Sequence, residues 1–238
     1  MITEAADRLI VALDVATGEE ARALVRATEA NVRRYKVGSQ LFTSEGPELV
    51  RELADAGFGI FLDLKFHDIP NTVAEASRAA AGLGVEMFNV HASGGHEMMA
   101  AAVEASREGA AAAGRKPPKI LGVTVLTSLP GTIEDVLDLA GKARKAGADG
   151  VVASAREASA IRAEMGSDFL IVTPGIRPAA SASGDQRRVT TPAEAVAGGA
   201  DLIVVGRPIR AADEPGAAAR AIIADMEEGE ERREVHDR

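Results

Sequence analysis

Short apolar runs bounded by turn residues recur along almost the whole chain, and this recurrence limits the fold more than any single motif. They fall at residues 9–13, 60–62, 87–90, 120–125, 151–153, 169–172 and 202–205, with a weaker run at 35–38. Near-continuous apolar strands of this length suit a buried parallel sheet, because helices cover its outer face. The intervening segments carry helical spacing. In residues 18–30, Ala21, Leu24 and Val25 share one face while Glu19, Glu20, Arg22 and Arg26 point elsewhere. Leu49, Val50 and Leu53 repeat the pattern after Gly46-Pro47, where proline suits the first turn of a helix. The alanine-rich stretches 74–81 and 100–113 are strong helix formers.

A finer repeat supports the count of units. Ala56-Gly57-Phe58-Gly59, Gly82-Leu83-Gly84-Val85, Gly147-Ala148-Asp149-Gly150 and Gly199-Ala200-Asp201 each stand just before an apolar run. Glycine there can take the left-handed conformation that ends a helix and turns the chain into the next strand. Eight strands alternating with helices predict an α/β fold, a (β/α)8 TIM barrel forming one domain over residues 1–226. A doubly wound open sheet is the alternative on pattern alone. The length of 238 residues suits a barrel, which typically takes about 250. Residues 227–238 hold six acids and three arginines and read as a charged tail, frayed or disordered.

Composition removes several classes of function. With no cysteine, disulfides, thiolate nucleophiles and thiolate metal sites are excluded. A net charge of −9 opposes nucleic acid as a partner, since phosphate backbones need a basic surface. The run at 9–13 is far too short to span a bilayer, and residues 1–8, with Glu4 and Asp7, do not resemble an export signal. The expectation is a soluble cytoplasmic protein with neither a membrane nor a nucleic-acid partner.

In both α/β architectures functional groups collect at the carboxyl ends of the strands. Here Asp14 follows the first run, Lys36 lies in the second, and Asp63 and Lys65 follow the third. Asn89 and His91, Thr124 and Thr127, Ser154, Thr173-Pro174-Gly175 and Gly206-Arg207 close the remaining five. Side chains two apart on a strand share a face, so Asp63 and Lys65 point into the barrel while Leu62 and Leu64 face the helices. A satisfied buried salt bridge accounts for that pair taken alone. Lys36 on the neighbouring strand and Asp68 beyond Lys65 make an alternating Lys–Asp–Lys–Asp set possible, and four converging charges are hard to explain as structure. The other half of the mouth reads as an anion site. Backbone N–H groups near Gly206 and the start of the last helix can hold a phosphate, and Arg207 adds a matching fork. Arg177 and Gln186 lie within reach, in a polar stretch at 175–191 whose length points to function or disorder.

His67, His91 and His96 lack the i,i+4 spacing of a helical metal pair, and Lys65, between Asp63 and Asp68, competes with a cation for the same charge. No Gly-x-Gly-x-x-Gly, Walker loop or nucleophile elbow occurs. The expectation is a site without metal or cofactor.

The block Asp63-Leu64-Lys65-Phe66-His67-Asp68-Ile69-Pro70-Asn71-Thr72 resembles the principal motif of the orotidine 5′-monophosphate decarboxylases. The likeness continues through Leu13-Asp14-Val15, Tyr35-Lys36-Val37-Gly38, Asn89-Val90-His91-Ala92, Val125-Leu126-Thr127-Ser128, Thr173-Pro174-Gly175-Ile176-Arg177, Gly184-Asp185-Gln186-Arg187-Arg188 and Val205-Gly206-Arg207-Pro208. The resemblance implies a (β/α)8 barrel that converts orotidine 5′-phosphate to uridine 5′-phosphate and CO2. It implies that Lys65 protonates carbon 6, that Asp63 sits against the substrate carboxylate, and that Lys36 and Asp68 complete the charge network. Asp14 and Lys36 would contact ribose hydroxyls, Thr127 (or its neighbour Ser128) the pyrimidine, and Arg177, Gln186, Gly206 and Arg207 the phosphate. It also implies a homodimer in which Asp68 and Thr72 reach the partner's site, with Ile69 among the substrate-binding residues.

Two alternatives stand beside it. Related barrels acting on sugar phosphates share a lone Asp-x-Lys-x-x-Asp, so a metal-dependent aldolase or decarboxylase such as a hexulose-phosphate synthase is the first. The continuation His67-Asp68-Ile69-Pro70-Asn71-Thr72 and the Gly184-Asp185-Gln186 block argue against it. A phosphate-binding barrel without catalysis is the second, and the full charge set around Lys65 argues against that.

Overall fold

The computed structural model describes residues 4–126, 131–178 and 190–236, with side chains described through Arg233. Eight parallel strands close on themselves in sequence order, the first pairing with the last, so the open-sheet alternative is excluded. The strands are β1 (Leu9–Ala12), β2 (Arg34–Gly38), β3 (Gly59–Phe66), β4 (Met87–His91), β5 (Lys119–Val123), β6 (Gly150–Val152), β7 (Leu170–Thr173) and β8 (Leu202–Val205). Around them pack α1 (Gly18–Thr28), α2 (Ser39–Glu45), α3 (Pro47–Asp55), α4 (Pro70–Gly82), α5 (Gly95–Ala112), α6 (Ile133–Lys145), α7 (Ala158–Met165), α8 (Pro192–Ala197), α9 (Arg207–Arg210) and α10 (Pro215–His236).

Local chemistry sets the boundaries of these elements. Thr17 with Glu20, Thr132 with Asp135 and Thr191 with Glu194 form reciprocal capping boxes that satisfy the first amides of α1, α6 and α8. Proline occupies the first turn of α3, α4 and α8. At the other end of the helices, Gly57 (φ 94°) and Gly199 (φ 104°) make the left-handed turns into β3 and β8.

Two apolar layers follow from the pleat. Ile10, Phe61, Met87, Leu121, Val172 and Val204 fill the barrel interior, while Val11, Val37, Leu62, Phe88 and Ile203 face the helices. Fully burying one such side chain stabilises by about 1.5–3 kcal/mol, so the inward set fixes the register of every strand. Alternation then places the next inward residues at the mouth. Asp63 lies two beyond Phe61, Asn89 two beyond Met87, and Lys36 pairs across from Ala12 and Phe61.

Three boundaries differ from the sequence expectation. The third strand runs to Phe66, because pairing with β4 resumes there opposite Val90 after the polar pair. The fifth stops at Val123, where Thr124 turns its hydroxyl to the Val152 carbonyl at 3.1 Å. The charged segment expected as a frayed or disordered tail continues α10 through His236; Gly229 lies against the Ala193 backbone and Glu230 pairs with Arg8. Among the described residues no helix is long and apolar enough to cross a membrane.

Candidate active site

Four charges of alternating sign cross the mouth of the barrel. Lys36 Nζ lies 2.8 Å from Asp14 Oδ1 and 3.3 Å from Asp63 Oδ2, and Lys65 Nζ lies 2.5 Å from Asp63 Oδ1. The middle pair is the most enclosed: the Lys36 and Asp63 side chains are 11% and 13% exposed, against 35% for Lys65. Burying charge at this depth is costly unless each group is paired, and here each ammonium meets a carboxylate. Burial pushes the Asp63 carboxyl upward, but the Lys36 charge, the Lys65 ammonium and a hydrogen bond from Asn89 together hold it below the usual carboxylate range. The array borders a cavity of about 220 Å³ whose other walls are apolar, among them Phe61, Val123, Val152, Leu126 and Val204. Water-poor walls beside fixed charges strengthen every interaction the charges make.

Lys65 reaches this position through an irregularity in β3. The pairing of β3 with β4 skips from Leu62 opposite Phe88 to Phe66 opposite Val90, so Asp63, Leu64 and Lys65 face only Asn89. Lys65 is the one non-glycine with positive φ (52°) among the described residues. That conformation costs a non-glycine residue about 1–3 kcal/mol and persists only where the surroundings hold it. Here the Lys65 amide donates to Asn89 Oδ1 at 2.8 Å, and Asn89 Nδ2 donates to Asp63 Oδ1 at 2.7 Å. The sequence places Asn89 at the end of a strand and in a block shared with the family, without showing this role. Its inward position in an apolar run was the available signal, because a fully buried amide must find partners. Gly38 adds a close approach that its place in the Tyr35–Gly38 run does not show: a Cβ there would stand 3.0 Å from Lys36 Nζ, so the ammonium would have to move by a few tenths of an ångström.

The expected set is not all in one place. Asp14, Lys36, Asp63 and Lys65 converge, and Gly206 adjoins Asp14, with the position of its missing Cβ 3.4 Å from Asp14 Oδ2. Asp68 does not join them. It follows the strand's end, is exposed, and accepts the Ile69 amide at 2.7 Å, so the fourth charge of the array within one chain is Asp14 instead. Ile69 (65% exposed) lies in the same exposed turn and Thr72 in the exposed first turn of α4. Arg207 is exposed just beyond β8, and Arg177 is half-buried after β7, its amide bonded to the Thr190 carbonyl at 3.2 Å. The helix after Gly206 is a single turn and the last helix begins at Pro215, so the anion reading rests on the arginines and the Gly206 backbone rather than on a long helix's dipole. Thr127, Ser128 and Gln186 lie outside the described residues. His67 packs on His91, ring centroids 5.2 Å apart; burial, then the neighbouring His67 and Lys65, lowers the His91 pKa. Among the described residues no three His, Asp or Glu side chains group as metal ligands.

Fold and site together define a class, the (β/α)8-barrel enzymes with a side-chain charge array at the carboxyl ends of the strands. Comparison with known proteins narrows it. Residues 7–222 match the profile of the Orotidine 5′-phosphate decarboxylase / HUMPS family, and the chain belongs to that family. It is 51% identical to the orotidine 5′-phosphate decarboxylase of Syntrophotalea carbinolica, over 95% of this chain and 97% of that one. It is 54% identical to the protein of the same name from Halorhodospira halophila, over 92% and 95%. Among solved structures, the orotidine 5′-phosphate decarboxylase of Lactobacillus acidophilus superposes with a TM-score of 0.80 at 38% identity, covering 92% of this chain and 98% of that one.

Proposed function

We propose that this chain decarboxylates orotidine 5′-phosphate to uridine 5′-phosphate and CO2 in pyrimidine biosynthesis, with no metal or cofactor. The observation that carries the reading is the Asp14–Lys36–Asp63–Lys65 array ending on an ammonium beside an apolar cavity. The names of the relatives support the substrate, and they favour this reaction over the sugar-phosphate alternative.

In the reaction the bond from carbon 6 to the carboxylate breaks, CO2 leaves, and the electron pair stays on carbon 6 to accept a proton from Lys65 Nζ. That pair occupies an in-plane orbital which the ring's π-system cannot delocalise, so fixed charge must stabilise it. Lys65, held on Asp63, supplies a preorganised ammonium, and Asp63 presents its negative charge to the carboxylate that departs. Enzymes lower barriers by about 8–23 kcal/mol, and so poor a carbanion calls for the upper end. One contact does not reach that figure. Phosphate binding by Arg177, Gln186, Gly206 and Arg207 contributes the remainder by orienting the ring, with Asp14 and Lys36 on the ribose and Thr127 on the base. Asp68, Ile69 and Thr72, all exposed, serve the site of a partner in a cytoplasmic homodimer.

The test is the loss of orotate-ring absorbance when purified protein, treated with a chelator, meets orotidine 5′-phosphate. Full turnover is expected; a strict need for added Mg²⁺ overturns the metal-free mechanism. Lys65→Ala is expected to abolish turnover while still binding uridine 5′-phosphate, and retained turnover removes Lys65 as the proton donor.

A further inference from the structure

The β3 irregularity leaves an amide that no strand can serve. In a regular parallel ladder the Lys65 N–H would meet a backbone carbonyl of β4, but the register skips between Leu62 and Phe66. The acceptor is instead the side chain of Asn89, at 2.8 Å, and the other end of the same side chain donates to Asp63 Oδ1 at 2.7 Å. Asp63 Oδ1 is also the atom that holds Lys65 Nζ, so one fully buried amide ties down both the backbone and the counter-ion of Lys65. A planar amide offers an acceptor and a donor about two ångströms apart and stays uncharged at neutral pH, where an Asp of the same shape would not.

We infer that Asn89 is a positioning residue for catalysis: it holds Lys65 in its left-handed conformation and Asp63 in its orientation, and so fixes where the Lys65 ammonium stands. This rests on the proposed role of Lys65 as proton donor. Asn89 lines the interior behind the pair and does not itself need to touch substrate. The charged and titratable groups around Asp63 are Lys36 and Lys65, then Asp14 beyond Lys36 and His91 at the end of β4.

Steady-state kinetics of the full chain over a range of pH, with binding of uridine 5′-phosphate measured separately, tests it. Asn89→Ala leaves the Lys65 amide and the Asp63 carboxylate short of a partner each; kcat is expected to fall roughly 10–100-fold, with uridine 5′-phosphate affinity nearly unchanged. The acid limb of its kcat profile is expected to move to higher pH, because Asp63 loses a donor that favours its charged form. Asn89→Asp keeps the shape and settles the matter if Asn89→Ala does not fold. Its new carboxylate repels Asp63 at neutral pH, and kcat is expected to recover as pH falls and that carboxyl, once protonated, donates where Nδ2 did. A kcat close to wild type, a loss shared equally with nucleotide affinity, or pH profiles that do not move overturns the inference. Lys65→Ala, assayed in parallel, separates the two questions. Turnover by Lys65→Ala removes the donor reading whatever Asn89 does, whereas an inactive Lys65→Ala beside a fully active Asn89→Ala removes only the positioning role.

Discussion

Tyr35 and Asp63 are both withdrawn from water, and their neighbours send them in opposite directions. Tyr35 packs edge-on to Phe58 with ring centroids 5.2 Å apart, and its hydroxyl meets Thr28 Oγ1 at 2.9 Å. Burial pushes its pKa from 10.0 to about 12, against the opposing hydrogen bond from Thr28. It is the only tyrosine and there is no tryptophan, so the near-ultraviolet rise of tyrosinate reports this one group. The expected midpoint is about 12 in the folded protein, and a midpoint near 10.0 shows a solvated hydroxyl. Because the pKa is raised on folding, the stability it carries is full below 10.0 and is lost as pH climbs toward about 12. Asp63 has the reverse sign. Its pKa is lowered on folding, so its contribution is full above the ordinary value of 3.8 and is lost as pH falls below it. Urea midpoints of the wild type and Asp63→Asn are therefore expected to converge below about pH 4; midpoints that stay equally far apart locate the stabilisation elsewhere. At Gly38, an alanine Cβ would stand 3.0 Å from Lys36 Nζ and shift that ammonium by a few tenths of an ångström, so kcat/KM of Gly38→Ala is expected to fall by about tenfold. The inward aim of Asp63 and Lys65 was legible from period-two alternation. The positive φ that lets Lys65 complete it was not, because Leu64-Lys65-Phe66 lacks the glycine that usually marks such a bend.

At the scale of elements, legibility followed burial on both faces. Strands such as β8, apolar throughout, match their runs residue for residue. The apolar run of β3 stops at Leu62, four residues before the strand's end at Phe66; period-two alternation carries the strand on through Asp63 and Lys65, which Lys36 and Asn89 neutralise. The helix after Gly206 was read as the start of the last helix, because Pro208 suits a first turn in either case and the sequence does not show where that turn stops. Helix pairing sets its own limits. α4 and α5 approach so closely that a Cβ on Gly109 would lie 2.4 Å from the Arg78 carbonyl oxygen. Gly109→Ala must separate the two helices, at a cost of about 1–3 kcal/mol. The melting temperature is expected to fall by several degrees with activity per folded molecule unchanged, and an unshifted melt means the pair has slack.

For the molecule as a whole, the exposed segment holding Asp68, Ile69 and Thr72 gives the proposed dimer a direct test. Lys65→Ala and Asp68→Ala are each expected to be inactive as pure proteins. In a heterodimer, one site combines the intact Lys65 of one chain with the intact Asp68 of the other. An equal mixture, allowed to exchange subunits, is then expected to regain about a quarter of wild-type activity, since half the dimers are mixed and each carries one whole site. A mixture that stays inactive places Asp68 in its own chain's chemistry.

The pairing of β1 with β8 has a consequence for how the protein is made. Leu9 lies beside Ile203 in the finished barrel, yet almost the entire chain separates them. At a synthesis rate of about 5–20 residues per second, the ribosome delivers the second of those residues roughly 10–40 s after the first. Throughout that interval any sheet already assembled has two open edges, and one of them is the wholly apolar Leu-Ile-Val-Ala of β1. The nascent chain is therefore most vulnerable to self-association until β8 emerges, and the arrival of that strand removes both edges at once.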